Sequence, residues 1–179
     1  MSDFRKVGEE LVYDGHFIDV VVGEYEAPDG TRFKRDIVRH PGAVGAVPID
    51  ADGKAVLVRQ FRATVAADVL EIPAGVRDRA GEDPLECAKR ELVEEIGMTA
   101  ATWDHLAFFH AAVGMSDESF ELYLARDLTD VGLDRQGVEE QSMTIERIDL
   151  ADVPAMIAAR ELRDAKTIIG LLLAREHLA

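Results

Sequence analysis

Glu91, Glu94 and Glu95 place three carboxylates within five positions of the chain. On a helix their i, i+3, i+4 spacing puts them on one face. Like charges so placed repel by roughly a few tenths of a kcal/mol per pair, and a cation among them reverses the sign. Carboxylate oxygens are the ligands that hard divalent ions take, and Mg²⁺ is commonly held by one or two carboxylates together with substrate phosphates. The trio therefore suits a helix that carries a metal ion to a phosphate.

The surrounding residues predict that helix. Asp83 is placed to cap it, Pro84 suits the first helical position, and Glu86 stands where a capping-box partner belongs. Leu85, Ala88, Leu92 and Ile96 form an apolar stripe away from the glutamates, and Gly97 is a C-terminal stop. One face should pack while the other presents acid. Cys87, the single cysteine, lies inside this helix, reads as a packing residue and excludes an internal disulfide.

The chain has 179 residues and a formal net charge of −15. An acidic chain is a poor partner for nucleic-acid backbones, so no nucleic-acid partner is expected. It would also repel an anionic small substrate, so bound cations must invert the local field if the substrate carries phosphates. No apolar run approaches membrane-spanning length and no secretory signal is seen, which predicts a cytoplasmic protein with no membrane partner.

Elements on both sides of the helix must position the glutamates. Residues 17–25, 31–39, 43–49, 54–61 and 69–72 read as strands, with a turn at Asp29-Gly30 and a hairpin signal at residues 50–53. Residues 103–112, 120–125 and 142–150 are strand-like, and helices are expected over 152–162 and from Ala165 to about Leu178, the last capped by Asp164. This order predicts an α/β fold.

Glu82, Arg90-Glu91, Glu94-Glu95 and Gly97 with its flanking apolar residues form most of a Nudix box. The chain resembles Nudix hydrolases, and flanking stretches resemble the ADP-ribose pyrophosphatase branch: Arg39-His40-Pro41-Gly42-Ala43-Val44, Arg59-Gln60-Phe61-Arg62, Glu71-Ile72-Pro73-Ala74-Gly75 and Asp164-Ala165-Lys166-Thr167. The resemblance implies an α/β/α sandwich with a mixed sheet. It also implies an N-terminal antiparallel strand region over 1–40 that dimerises, and a catalytic domain over 41–179. Two departures stand out. Six residues rather than five separate Gly75 from Glu82, and Val113 occupies a position where that branch typically has proline.

By the same resemblance the substrate is a small nucleoside diphosphate sugar, with ADP-ribose split to AMP and ribose 5-phosphate as the leading expectation. The cofactor is Mg²⁺, with Mn²⁺ as the alternative. Glu91, Glu95 and the Ala74 carbonyl are the expected metal ligands, and Glu94 binds directly or through water. Arg90 orients glutamates and Glu82 supports it. The base is Glu140, with Glu139 the near alternative. Arg62 would contact a phosphate or the terminal ribose, unless it forms a surface ion pair, and Ser116 and Glu118 are substrate-side candidates. Phe17, Trp103 and Phe109 read as core aromatics. The rival readings are a hydrolase of other nucleotide sugars or of oxidised nucleotides, and a non-catalytic nucleotide sensor.

Overall fold

The charged stretch at the start of the chain, which offers no strand signal of its own, is extended as β1 (Arg5–Asp14) because β2 (Asp19–Glu26) supplies a ladder. β3 (Arg32–Arg39) completes an antiparallel sheet in the order β1-β2-β3. The computed structural model describes residues 3–133 and 140–179, with only the backbone described for Glu140. The described chain divides into two units. One holds the chain up to Gly42 together with Phe109–Phe120; the other holds Ala43–Phe108 and Glu121–Ala179.

The second unit begins with β4 (Ala43–Pro48), β5 (Lys54–Arg62), β6 (Ala67–Glu71) and β7 (Ala74–Val76). Helix α1 (Pro84–Ile96) follows, then β8 (Met98–His110), β9 (Ser119–Asp130), a single 3₁₀ turn at Glu140–Ser142, β10 (Thr144–Asp149), α2 (Val153–Ala158) and α3 (Ala165–His177). Two sheets result, β10-β5-β6 and β7-β4-β9-β8. The turn at residues 50–53 forms, with the Asp50 carboxylate accepting from Asp52 N and Lys54 N. It does not make the expected hairpin: β4 and β5 diverge into different sheets and keep only the isolated bridge Ile49↔Ala55.

β4 is buried along its whole length, as a strand covered on both faces must be. Alternate residues face opposite sides. Val44 packs with Cys87 and Ala88, and Ala46 with Leu92 and Ile96, all of α1. Val47 faces the other way, where a Cβ on Gly170 of α3 would meet it at 3.0 Å. One strand between two helices is the α/β/α sandwich expected from the resemblance. Fully buried Leu92 contributes about 1.5–3 kcal/mol to it by removal from water.

The observed elements differ from expectation where a partner decides them. β8 and β9 are adjacent strands and lengthen each other, so β8 starts directly after Gly97 and β9 runs on to Asp130. α2 stops at Ala158, because Arg160 takes a left-handed φ of 61°. The aromatics separate. Trp103 is half-buried against Tyr123, and Phe109 stacks on Phe120 at 5.2 Å. Phe17 is 58% exposed and meets the His40 ring edge-on, so it is not a core residue.

Gly97 ends α1 at φ 68° and ψ 29°, and a Cβ there would lie 2.8 Å from the Gly132 carbonyl carbon. The left-handed conformation alone costs a side-chain-bearing residue about 1–2 kcal/mol. Gly97→Ala is therefore expected to lower Tm by about 4 °C or more, checked by calorimetry.

Candidate functional site

α1 is fixed at both ends. The Asp83 carboxylate accepts from Leu85 N at 2.9 Å, Pro84 opens the helix, and Gly97 N–H returns to the Val93 carbonyl at 2.9 Å. The capping box does not close: the Glu86 carboxylate pairs outward with Lys89 Nζ at 2.7 Å. Glu94 and Glu95 fall in the last turn, where no basic residue is present. That is the negative end of the helix dipole, the end that disfavours carboxylates, and the placement adds to their need for a cation.

Arg90 gathers the acids. Its Nη1 donates to Glu91 Oε1 at 2.6 Å and Glu94 Oε2 at 2.9 Å, and its Nε and Nη2 donate to the Glu82 carboxylate at 3.3 and 3.2 Å. Burial disfavours the guanidinium charge, but the hydrogen bonds to Glu82 and the charges of Glu91 and Glu94 outweigh it and hold its pKa above the usual arginine range. Glu95 breaks the expected pattern. It is 4% exposed, on the packed side of α1, and accepts from Ala74 N at 3.1 Å. The helix thus presents two of its three acids beside Arg90 and tucks the third under β7.

β7 itself leaves space for this. A Cβ on Gly75 would lie 2.5 Å from Glu91 Oε2 and closer still to the carboxyl carbon and Oε1. Only a glycine allows the Glu91 carboxylate to sit against the strand. The extra residue between Gly75 and Glu82 lies in the loop before α1 and leaves the glutamate register intact.

Glu82, Glu91 and Glu94 share the Arg90 guanidinium, with Asp78 3.7 Å from it and Arg79 within 3.9 Å of Glu82 and of Glu94. Carboxylates thus outnumber the arginines that gather them. Hard oxygen donors so grouped fit a divalent cation. Among the described residues no three acids already converge on one point. Arg90 and Ala74 N hold these side chains, so ligation requires them to turn.

Cys87 is fully buried, its Sγ 3.3 Å from Arg90 Nη2, and burial first of all pushes its pKa up to about 12. It is a packing residue with no thiolate to offer as a nucleophile.

A NUDIX domain model matches residues 39–168. The chain belongs to the Nudix family. It is 35% identical over 167 residues to the ADP-ribose pyrophosphatase of Bacillus subtilis (strain 168), covering 93% of this chain and 90% of that one. It is also 35% identical over 170 residues to the ADP-ribose pyrophosphatase of Mycobacterium tuberculosis (strain ATCC 25618 / H37Rv), covering 95% and 82%. A crystal structure of an ADP compounds hydrolase superposes with a TM-score of 0.85 at 24% identity over 99% of this chain and 95% of that one, which establishes the Nudix fold. The chain is a Nudix pyrophosphatase, and the family works with divalent metal.

The remaining Nudix candidates are placed as follows. Arg62 donates from Nε and Nη2 to the two oxygens of Glu71 at 2.7 and 2.6 Å. This is not a surface pair, since the Glu71 side chain is only 4% exposed. The bonds to Glu71 first, then the charges of Glu71, Glu95 and Asp164, raise the Arg62 pKa against its burial. Ser116 and Glu118 belong to the other unit, where Ser116 Oγ accepts from Glu118 N at 3.1 Å. Neighbouring Asp117 is committed to Arg39 and His40 N. Glu139 lies outside the described residues, and Glu140 opens the 3₁₀ turn with its side chain outside them.

Two site residues escaped the sequence reading. A carboxylate inside the apolar run of residues 69–72 is the signal for Glu71, since a buried acid requires a cationic partner, here Arg62. Gly75 has no local signal, because its reason is the Glu91 carboxylate beside it.

The Arg90 network has a pH consequence. The hydrogen bond from Arg90 holds the Glu82 carboxyl below its ordinary value of 4.5. A folded pKa below the unfolded one contributes stability above the ordinary value that is lost as pH falls through the depressed one. Glu82→Gln is therefore expected to reduce the loss of stability between pH 5 and lower pH. Urea unfolding at a series of pH values checks it.

Proposed function

We propose that the chain is a Mg²⁺-dependent hydrolase that splits ADP-ribose into AMP and ribose 5-phosphate. The observation that carries the reading is the gathering of Glu82, Glu91 and Glu94 by Arg90, with Glu95 against Ala74 N on the same helix. The similarity over more than nine-tenths of the chain to two ADP-ribose pyrophosphatases supports the substrate.

In this reading Glu91, Glu95 and the Ala74 carbonyl hold Mg²⁺, or Mn²⁺ in its place, with Glu94 binding directly or through water. The bound cation neutralises diphosphate charge and makes the attacking water more acidic. Arg90 keeps the glutamates grouped as they turn, the work of a residue behind the ligands. Arg62 has two of its nitrogens committed to Glu71, and its Nη1 edge meets a phosphate oxygen or the terminal ribose. Glu140, or Glu139 as the alternative, takes the proton of the water. The water oxygen bonds to one phosphorus as the bridging P–O bond breaks, and the leaving phosphate keeps the electron pair. Ser116 and Glu118 remain substrate-side candidates.

Two further proposals concern setting. A cytoplasmic enzyme is one, and its lone cysteine, which leaves no internal disulfide to form, fits a reducing compartment. Leu11, Val12 and Tyr13 on edge strand β1 are 55%, 62% and 59% exposed, which supports a homodimer formed through residues 1–40 beside a catalytic domain over 41–179.

The test incubates the protein with Mg²⁺ and a panel of ADP-ribose, GDP- and UDP-sugars and oxidised nucleoside triphosphates, and resolves the products. ADP-ribose is expected to give AMP and ribose 5-phosphate with the highest kcat/KM. Faster turnover of another diphosphate would replace the substrate, and binding with no turnover of any compound would favour a sensor. Val113, 80% exposed where the branch typically has proline, is the residue that makes the panel necessary.

A further inference from the structure

Between β6 and β7 the chain changes sheets. Glu71 is the last β6 residue laddered to β5, opposite Val58, and Ala74 is the first laddered to β4, opposite Gly45. The two residues between them have no ladder. Pro73 has no N–H to place, and its carbonyl accepts from Ala46 N at 3.0 Å. Ile72 is 1% exposed and does have an N–H, which must find a partner away from water. It donates to Thr167 Oγ1 at 2.9 Å, across 95 positions of sequence.

Thr167 is fully buried, and its hydroxyl is used in both senses. It accepts from Ile72 N and donates to Asp164 Oδ2 at 2.8 Å. The same oxygen accepts Thr167 N–H at 2.8 Å, the N-cap bond of α3, while Asp164 Oδ1 pairs with Lys166 Nζ at 2.9 Å. Asp164 thus fixes the hydroxyl rotor as well as the helix start. Gly170 keeps α3 in place: a Cβ there would meet Val47 at 3.0 Å and Ile72 at 3.5 Å.

The segment is short and stiff. Thr167 holds the N–H of Ile72 and Glu95 holds the N–H of Ala74. The ring of Pro73 between them locks its φ. Few soft dihedrals are left to aim the Ala74 carbonyl. When Glu95 turns to a cation it releases Ala74 N–H, and the Thr167 hydroxyl is the side-chain anchor that stays.

We infer that Thr167 is a positioning residue for the metal site: its hydroxyl, oriented by Asp164, fixes the backbone of residues 72–74 and so aims the Ala74 carbonyl and seats Gly75 beside Glu91. The inference rests on the reading of Ala74 as a metal ligand. It adds to the site a residue on the C-terminal helix that touches neither cation nor substrate.

The test uses the full chain without substrate. Thr167→Val keeps the shape and removes the hydroxyl, and Thr167→Ser restores it. Leu171→Val, at a fully buried position of the same helix, loosens packing without touching Ile72 N–H. Mn²⁺ affinity is measured by calorimetry or by the spin signal of the free ion, and amide exchange is followed at Ile72. Thr167→Val is expected to bind Mn²⁺ about tenfold more weakly and to exchange faster at Ile72, with Thr167→Ser and Leu171→Val within about twofold of wild type. A folded Thr167→Val protein with wild-type affinity would overturn the inference, as would a Leu171→Val protein weakened equally. Should Thr167→Val fail to fold, Pro73→Ala frees the same segment. About threefold weaker binding then supports the inference and unchanged binding overturns it. A wild-type protein that binds no Mn²⁺ would remove the metal-site reading and this inference with it, an outcome distinct from equal binding by wild type and variant.

Discussion

Glu95→Gln is expected to lower kcat about a thousandfold, while Glu86→Gln stays within about twofold of wild type. The two residues share a helix and a side-chain type, and their surroundings separate them. Glu86 is exposed and paired with Lys89. Glu95 is buried against Ala74 N, beside the other acids. A metal ligand stabilises developing charge by several kcal/mol, and a thousandfold is about 4 kcal/mol. Stability should move in the opposite sense. Without metal, Glu95→Gln removes one negative charge from an acidic helix end while its amide oxygen can still accept from Ala74 N–H. The metal-free variant is therefore expected to be no less stable than wild type, and only wild type should gain Tm on adding Mg²⁺. Kinetics with and without metal and paired melting curves check both statements. Equal losses in the two variants would remove the ligand assignment.

Gly75→Ala should behave as an active-site variant with an intact fold. Gly75 is in β7 and has no left-handed φ, so alanine costs nothing in backbone conformation. Its Cβ would occupy the space of the Glu91 carboxyl group. That group is the far end of a flexible side chain, so it swings away cheaply and the fold survives. The carboxylate then loses its seat between Gly75 and Arg90, from which the proposed ligand would turn to a cation. Activity is expected to fall at least a hundredfold with unfolding free energy changed by less than about 1 kcal/mol. Assay and urea denaturation on one preparation decide it, and a variant that loses stability in proportion to activity would count against the assignment of Glu91.

The parts of this molecule that were legible in its sequence are those whose cause is local. α1 could be bounded at Pro84 and Ile96 because Asp83, Pro84 and Gly97 each act within one turn. The contact of Arg90 with Glu94 is local too, since the two lie one helical turn apart. What was not legible depends on distant partners. β1 carries five charges among ten residues and is a strand only because β2 lies beside it. β7 is three residues long and defined by its pairing to β4. The burial of Glu95 could not be read from spacing, since its cause is the N–H of Ala74, 21 positions away. The task of Thr167 is not legible from its neighbours, because its hydroxyl serves Ile72, 95 positions away.

The bond between Ile72 and Thr167 also sets an order of events during synthesis. A ribosome that has made β7 and the whole of α1 has already made every residue proposed to ligate the metal. The peptide that aims the Ala74 carbonyl still has a buried N–H to satisfy, and the hydroxyl that satisfies it belongs to a helix made much later. Closing a loop of that size is slow compared with forming α1 itself. On the inferred role of Thr167, a nascent chain would therefore expose its acidic helix well before it could hold a cation tightly, and hydrolytic competence would wait until the C-terminal helix docks.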